Sequence, residues 1–473
     1  MNQSEKLAVR ILARQQGEAI VVRQTRSITD DPADAIAIAG IRVVTEDQVQ
    51  ALAYGPIGGT PHLACRLEPM SRQTDDLEPF ATWLCAHVAR QMARNEPLRL
   101  WVPHKKTVEM LGVLGRRYER NRSASPMLQE AARICRILAA EATYEGQQVV
   151  VVAQDLLLRH AVTGQMPVED LHPGAILSWV VPVPGRDPSE VAIERSRIPA
   201  SGLLPNTPDQ PNDDEIELLR KRLKGAIGSA RSAIQNRIRS ILENAVMREW
   251  QLLVDMRAAF LGLPLTAGDL SSLAAESEKR TRFAYEGFLA QPINPVPLAK
   301  HMTDHEAAIS MAETAEVTGD AAIRSMLKRN GRVVEATVHH IDQPRGSGFN
   351  PCTLFLRTDQ PIVRLRVDDR VKTAGLRIVG LIRSVSLVPD TATTEIEVEI
   401  DSGVRSVPSL LGSARDWFEA SDFPAYLRHK TLKNAADRAG WLVSGSPLPA
   451  AASRRTAHSD LLSFANAARR NVP

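Results

Sequence analysis

The sequence predicts a multidomain chain of mixed class, α/β first, then α, then β. Three observations predict it. Between residues 35 and 162, short apolar runs alternate with segments whose apolar residues recur at helical spacing. Residues 223–245 carry one apolar stripe at steps of three and four. Residues 333–400 return to short alternating runs split by turn residues. A chain of 473 residues has room for roughly two to four domains. At 44% hydrophobic and 24% charged it can bury cores, and with aromatics at 4% the packing falls to Leu, Ile, Val and Ala.

Residues 1–30 read as an N-terminal extension, and 31–182 as an α/β domain with the order β-β-β-α-β-α-α-β-α. Segments 35–44 (AIAIAGIRVV), 49–57 (VQALAYGPI) and 62–68 (HLACRLE) are strands on short links, which favours an antiparallel meander. In 75–94, Phe80, Trp83, Leu84, Val88 and Met92 share a helical face, and Asp75 and Asp76 stand where the helix dipole favours acids. Residues 98–102 (LRLWV) form a buried strand. A helix over 105–118 follows, with Val108, Leu111, Leu114, Gly115 and Tyr118 on one face. A helix over 126–142 precedes 147–153 (QQVVVVA), whose unbroken apolar run suits a strand covered on both faces. Residues 155–162 resume a helix.

This order resembles the RNase H-like fold, in which three antiparallel strands lead into alternating helices and parallel strands. The segment LRLWVPHKKTVEMLGVLGRRY is similar to the strand–helix step of degenerate RNase H-like exonuclease domains that accompany superfamily 1 helicases. The resemblance implies clustered carboxylates holding two divalent metals. One acid would stand on the first strand and another near the end of the fourth. AIAIAGIRVV has no acid, and the fourth strand ends in Val102, Pro103 and His104. Asp31, Asp34, Glu46, Asp47 and Asp155 lie at element ends instead. The expectation is a non-catalytic domain that keeps the shape without the chemistry, with no cofactor and no metal. His104, Lys105 and Lys106 at a helix start are a candidate anion site or an ordinary solvated helix end. Glu169, Asp170 and His172 lack metal-ligand spacing and read as loop polarity.

Residues 183–214 read as a Pro-rich linker that ends at the capping residues Asp213 and Asp214. Residues 215–330 read as a helical bundle or hairpin. Leu223, Ile227, Ala230, Ile234, Ile238, Ile241 and Ala245 lie on one stripe of a long helix over 215–261, reaching roughly 70 Å and packed on partner helices over 269–290 and 298–329. Between residues 218 and 242 stand Arg220, Lys221, Arg222, Lys224, Arg231, Arg237 and Arg239, with no acid among them. Such a ridge suits a phosphate backbone or the acids of another domain or protein; a plain solvated Arg-rich face is the alternative. No aromatic interleaves, so contact with DNA or RNA would be backbone-directed. His301 and His305, with Glu306, do not meet the H-E-x-x-H order and read as ordinary histidines.

Residues 331–405 hold five short strands, over 333–340, 353–357, 362–367, 376–388 and 394–400, which suit a small OB-like or SH3-like β-barrel with bends at Gly375 and Gly380. The stretch RVKTAGLRIVGLIRSVSLVPDTATTEIEVEI is similar to the accessory barrels of superfamily 1 helicases. Arg345, Arg364, Arg366, Arg377 and Arg383 line a nucleic-acid groove or point outward from half-exposed strands. Residues 406–443 read as C-terminal helices over 414–419 and 426–439 that dock through Trp417 and Trp441. Residues 444–473 read as a mobile basic tail with Arg454, Arg455, Arg469 and Arg470.

Cys65, Cys85, Cys135 and Cys352 lie far apart with no C-x-x-C pair, which suits reduced thiols in a cytoplasmic protein. The longest apolar run, 174–185, contains prolines and is too short for a bilayer, and the first residues lack the apolar stretch of a secretory signal. No Walker A motif, H-E-x-x-H or Ser-His-Asp order is present. Net charge is +3, and Arg outnumbers Lys 47 to 11. The expected function is that of a non-enzymatic, nucleic-acid-associated accessory protein, working with a helicase or nuclease on another chain and not with a membrane. The alternatives are a metal-dependent nuclease with an unconventional carboxylate cluster, and a protein–protein scaffold that binds no nucleic acid.

Overall fold

A computed structural model describes residues 3–43, 48–68, 74–198, 213–288, 295–342, 352–376, 378–388 and 392–419. The chain divides into one unit of Met1–Leu289 with Ile309–Ala420, and a second of Ala290–Ala308 with Ser421–Pro473. In the second, only residues 295–308 are described, as the first part of a helix. The architecture below is that of the first unit.

Helix α1 (Gln3–Gln16) and the short strand β1 (Ile20–Val21) lead in. Strands β2 (Ile36–Val43), β3 (Gln48–Pro56) and β4 (His62–Cys65) form the expected antiparallel meander, with Ile38 opposite Tyr54 and Ala53 opposite Leu63. Helix α2 (Glu78–Arg94) crosses to β5 (Leu100–Val102), which runs parallel to β2. Helices α3 (Lys105–Tyr118) and α4 (Pro126–Glu141) lead to β6 (Val150–Val152), parallel to β5. Helix α5 (Ala153–His160) follows, and β7 (Ala161–Val162) pairs with β1. The sheet order is β4-β3-β2-β5-β6.

The alternation in AIAIAGIRV gives the sheet two different faces. Ile36 and Ile38 point to one side, with Leu52, Tyr54, Leu100 and Val102, and α2, α3 and α4 cover them. Ala35, Ala37, Ala39, Ala51 and Ala53 point to the other side beside Trp101. That Ala-rich face is flat, so a helix can lie close to it.

The helix that does so is not the one expected. After α6 (Pro173–Val180) and α7 (Pro188–Ser196), residues 215–261 form two helices, α8 (Asp213–Gly225) and α9 (Gly228–Leu261). Gly228 has φ +58, a backbone setting that L side chains resist, and the chain folds back there. At 34 residues α9 spans roughly 50 Å. It does not build a helix bundle. Ile238, Ile241, Leu242, Ala245, Val246, Trp250 and Leu253 bury against the Ala face of the sheet and against α5 and α6. With α2, α3 and α4 all on the opposite face, this was the large apolar surface left to cover. Of the expected stripe, Ile227 and Ala230 are exposed.

The stretch read as a linker begins with structure. Pro188 opens α7, Asp187 accepts from the Ser189 N–H, and Val191 and Ala192 are buried. Residues 199–212 lie outside the described residues. The leading segment is also built in: the Gln24 and Thr25 N–H groups donate to Asp320 at 2.7 and 3.0 Å. The helical region continues with α10 (Ser271–Phe283), α11 (Pro295–Gly319) and α12 (Ala321–Arg329). The single helix expected over 298–329 breaks at Asp320, whose carboxylate caps α12 through the Ala322 and Ile323 N–H groups.

The β module has six strands: β8 (Val333–Asp342), β9 (Cys352–Thr358), β10 (Arg370–Thr373), β11 (Val379–Val388), β12 (Thr393–Ser402) and β13 (Ala414–Glu419). They run in the order β10-β11-β12-β9-β8-β13, and β13 pairs back onto β10 to close a barrel. Two expectations are corrected here. Residues 414–419 are a strand, not a helix: Trp417 fills the barrel interior while Phe418 packs on Val317, Ile323 and Val333 outside it. Residues 362–367 are not a strand: within IVRLRV only Leu365 is buried, and β10 takes the place in the ring. Gly380 lies at a register shift, where a Cβ would meet the Glu399 carbonyl oxygen at 2.6 Å.

Candidate functional site

The cationic ridge lies on the α8–α9 hairpin, and folding sorts its members. Arg220 turns into the sheet edge, donating from Nε to the Leu67 carbonyl at 2.9 Å and from Nη2 to Gln50 and the Arg66 carbonyl. Arg231 reaches the Leu223 carbonyl at 3.2 Å and Glu68 at 3.4 Å. Arg237 pairs with Glu215 at 2.9 Å, and Lys221 with Glu217 at 2.8 Å. Arg239 is exposed and reaches Asn236 Oδ1 at 3.4 Å. Arg222 and Lys224 are exposed, with no side-chain partner among the described residues. The acids that meet the ridge are Glu217, one turn before Lys221 on α8, Glu215, which the fold-back lays beside Arg237, and Glu68 just past β4. A window limited to 218–242 could not show them.

At the carboxyl end of β5, His104 caps the start of α3 and points inward, not into solvent. Its Nε2 lies 2.9 Å from Glu249 Oε2 of α9, and both side chains are buried. Burial pushes the Glu249 carboxyl above its usual range, and the hydrogen bond and charge of His104 oppose that rise. Lys105 pairs with Asp155 at 3.2 Å, and Lys106 is exposed. The three residues therefore do not converge on one anion site. Sequence reasoning missed Glu249, although a signal was present: an acid standing among Ala245, Val246, Trp250 and Leu253 on the buried stripe.

The other acids also have separate partners. Asp31 accepts from Arg99, from Trp101 Nε1 at 2.9 Å and from Arg257 at 2.9 Å. Asp34 faces Arg94 and Gln91. Glu46 and Asp47 lie outside the described residues. In the 166–172 loop, Asp170 accepts from Arg10, Thr163 and Gln165, while His172 donates to the Ile198 carbonyl and accepts from the Ala175 N–H. These groups brace the loop. The side chain of His301 lies outside the described residues. Among the described residues no three His, Cys, Asp or Glu side chains group as a metal ion requires.

In the barrel, Arg383 pairs with Glu399 at 2.5 Å. Arg364 and Arg366 stand exposed on the connection before β10, while Arg345 and Arg377 lie outside the described residues. All four thiols are free. Burial, with Glu243 nearby, pushes Cys65 up to about 12, and burial beside Glu130 pushes Cys85 up to about 11, so neither is a thiolate at neutral pH.

No family model, curated protein or solved structure matches the chain. Among the described residues no helix is long and apolar enough to cross a membrane.

Proposed function

We propose that this chain is a non-enzymatic, nucleic-acid-associated accessory protein of the cytoplasm, acting beside a helicase or nuclease carried by another chain. In this reading its sheet is RNase H-like and its barrel OB-like or SH3-like. A meander of three antiparallel strands followed by two parallel ones, in the order β4-β3-β2-β5-β6, supports the first assignment. Carboxylates that each face their own cation, rather than one another, support a domain without nuclease chemistry.

The observation that carries the reading is the α8–α9 hairpin, which keeps Arg222, Lys224 and Arg239 at the surface outside any ion pair among the described residues, while Lys221 and Arg237 are exposed in ion pairs and Arg220 and Arg231 bond to the protein's own backbone. Surface cations of this kind bind phosphates with a steep salt dependence. Filter binding of DNA and RNA by the full chain at rising salt tests it. The expected result is retention at low salt that falls steeply, and its loss in a triple Arg222→Glu, Lys224→Glu, Arg239→Glu variant. Unchanged retention in that variant removes the hairpin from the account. Cleavage of either nucleic acid with added divalent metal would instead favour a nuclease.

A further inference from the structure

We propose that the tip of the α8–α9 hairpin is a wedge for duplex nucleic acid: Ile227 enters between stacked base pairs while Arg222 and Lys224 hold the adjoining phosphates. The inference rests on the nucleic-acid reading above and adds the mode of contact. Ile227 is 85% exposed, more than any other large apolar side chain among the described residues. It belongs by spacing to the buried stripe, yet the fold-back turns it outward at the apex.

The apex is narrow and its base is fixed. Gly225 and Gly228 flank it, and a Cβ on either would meet nothing within 4 Å. Below it, Ile216 and Leu223 are buried, Arg231 holds the Leu223 carbonyl, and the Arg237–Glu215 pair ties the two helices together. An apolar side chain on a braced support, with cations one turn away, is the arrangement by which proteins part a base step and kink a duplex. Arg222 and Lys224 stand in the last turn of α8, beside the apex. A single apolar residue suits one base step; a bilayer surface is met by an apolar face of several residues, and the neighbours here are Gly225, Ala226, Gly228 and Ser229. With no aromatic between residues 213 and 249, and Trp250 and Phe260 buried farther along α9, stacking on single strands is not the mode.

The test uses the full chain and a DNA duplex carrying 2-aminopurine, which brightens when unstacked. The wild-type protein is expected to raise the fluorescence. Ile227→Ser is expected to bind with an unchanged salt slope and no fluorescence rise, at an unchanged melting temperature. A double Arg222→Gln, Lys224→Gln variant is expected to lower the salt slope by about two. Binding by wild type without a fluorescence rise, or a rise that survives Ile227→Ser, overturns the wedge and leaves the broader reading standing. Failure of the wild-type chain to bind the duplex at low salt overturns the wedge, and failure to retain any DNA or RNA in the filter assay overturns both. Ile227-dependent sedimentation with phosphatidylserine vesicles, in place of duplex binding, overturns the proposal in favour of a membrane.

Discussion

His160 shows how much a single buried ring can be constrained. The Ser27 N–H donates to its Nε2 at 3.2 Å, so Nε2 must accept, and its Nδ1 must donate to the Leu156 carbonyl at 2.8 Å. Only the neutral Nδ1–H tautomer meets both demands. Burial, first, and the charges of Arg23 and Arg159 lower its pKa to about 4. His87 is also lowered to about 4, by burial and then Arg90. Because the folded values lie below the unfolded one, the stability each ring contributes is present above pH 6.5 and is lost as pH falls toward 4. Denaturant midpoints measured across that window should fall, and His160→Gln should flatten part of the slope; an unchanged slope refutes the assignment. Glu249 has the opposite sign: raised by burial, it favours folding at low pH and less as pH rises through its folded value. Glu249→Ala should destabilise by about 1–3 kcal/mol in urea titration, because it leaves the buried His104 Nε2 without this hydrogen-bond partner, and Glu249→Gln should cost less. Neither arrangement was legible in the sequence. The Ser27 and Glu249 contacts join residues 133 and 145 positions apart, and no local pattern carries such a pairing.

At the scale of elements, the α/β half was legible because each segment had one clear period and one apolar purpose. The AIAIA alternation names a strand with two buried faces, and QQVVVVA names one covered on both sides. Misreadings occurred where a short segment carried two signals. ARDWFE spaces its polar residues in a way a helix also allows, but Trp417 and Phe418 need opposite sides, which only a strand provides. IVRLRV alternates well and still joins no strand ladder among the described residues; its Arg364 N–H donates to the Gly331 carbonyl, and β10 completes the ring without it. Trp417→Ala should therefore cost about 3–5 kcal/mol, seen as a lower melting temperature. Gly380→Ala should also destabilise, by about 2 kcal/mol or more, since the Glu399 carbonyl cannot yield to a methyl group without opening the ladder. A Gly380→Ala protein that melts like wild type would show that the shifted register is softer than its geometry implies.

Over the whole first unit, a few carboxylates join distant stretches of chain. Asp31 links the leading segment to β5 and α9, and Asp320 joins that segment to α12. Burial works against the Asp320 anion, but the N–H groups of Gln24, Thr25 and Ile323 outweigh it and hold the carboxyl below its usual value. Its contribution is therefore present above the ordinary carboxylate range and is lost as pH falls below it. Asp320→Ala should lower stability by about 1–2 kcal/mol from the cap alone, with a further loss from the two N–H groups of the leading segment, measurable by calorimetry at neutral pH. The cationic ridge was visible in the sequence, but its division into bracing and solvent-facing members was not, because Glu68 and Glu215 reach it only after folding. The closure of the barrel bears on how the protein is made. The strand that seals the ring is the last of the six to leave the ribosome, and its partners are the first and third. Until it arrives, β8 and β10 each present a bare row of amide and carbonyl groups to any passing strand, so the ring cannot close, and its edges need shielding, until that last strand is made.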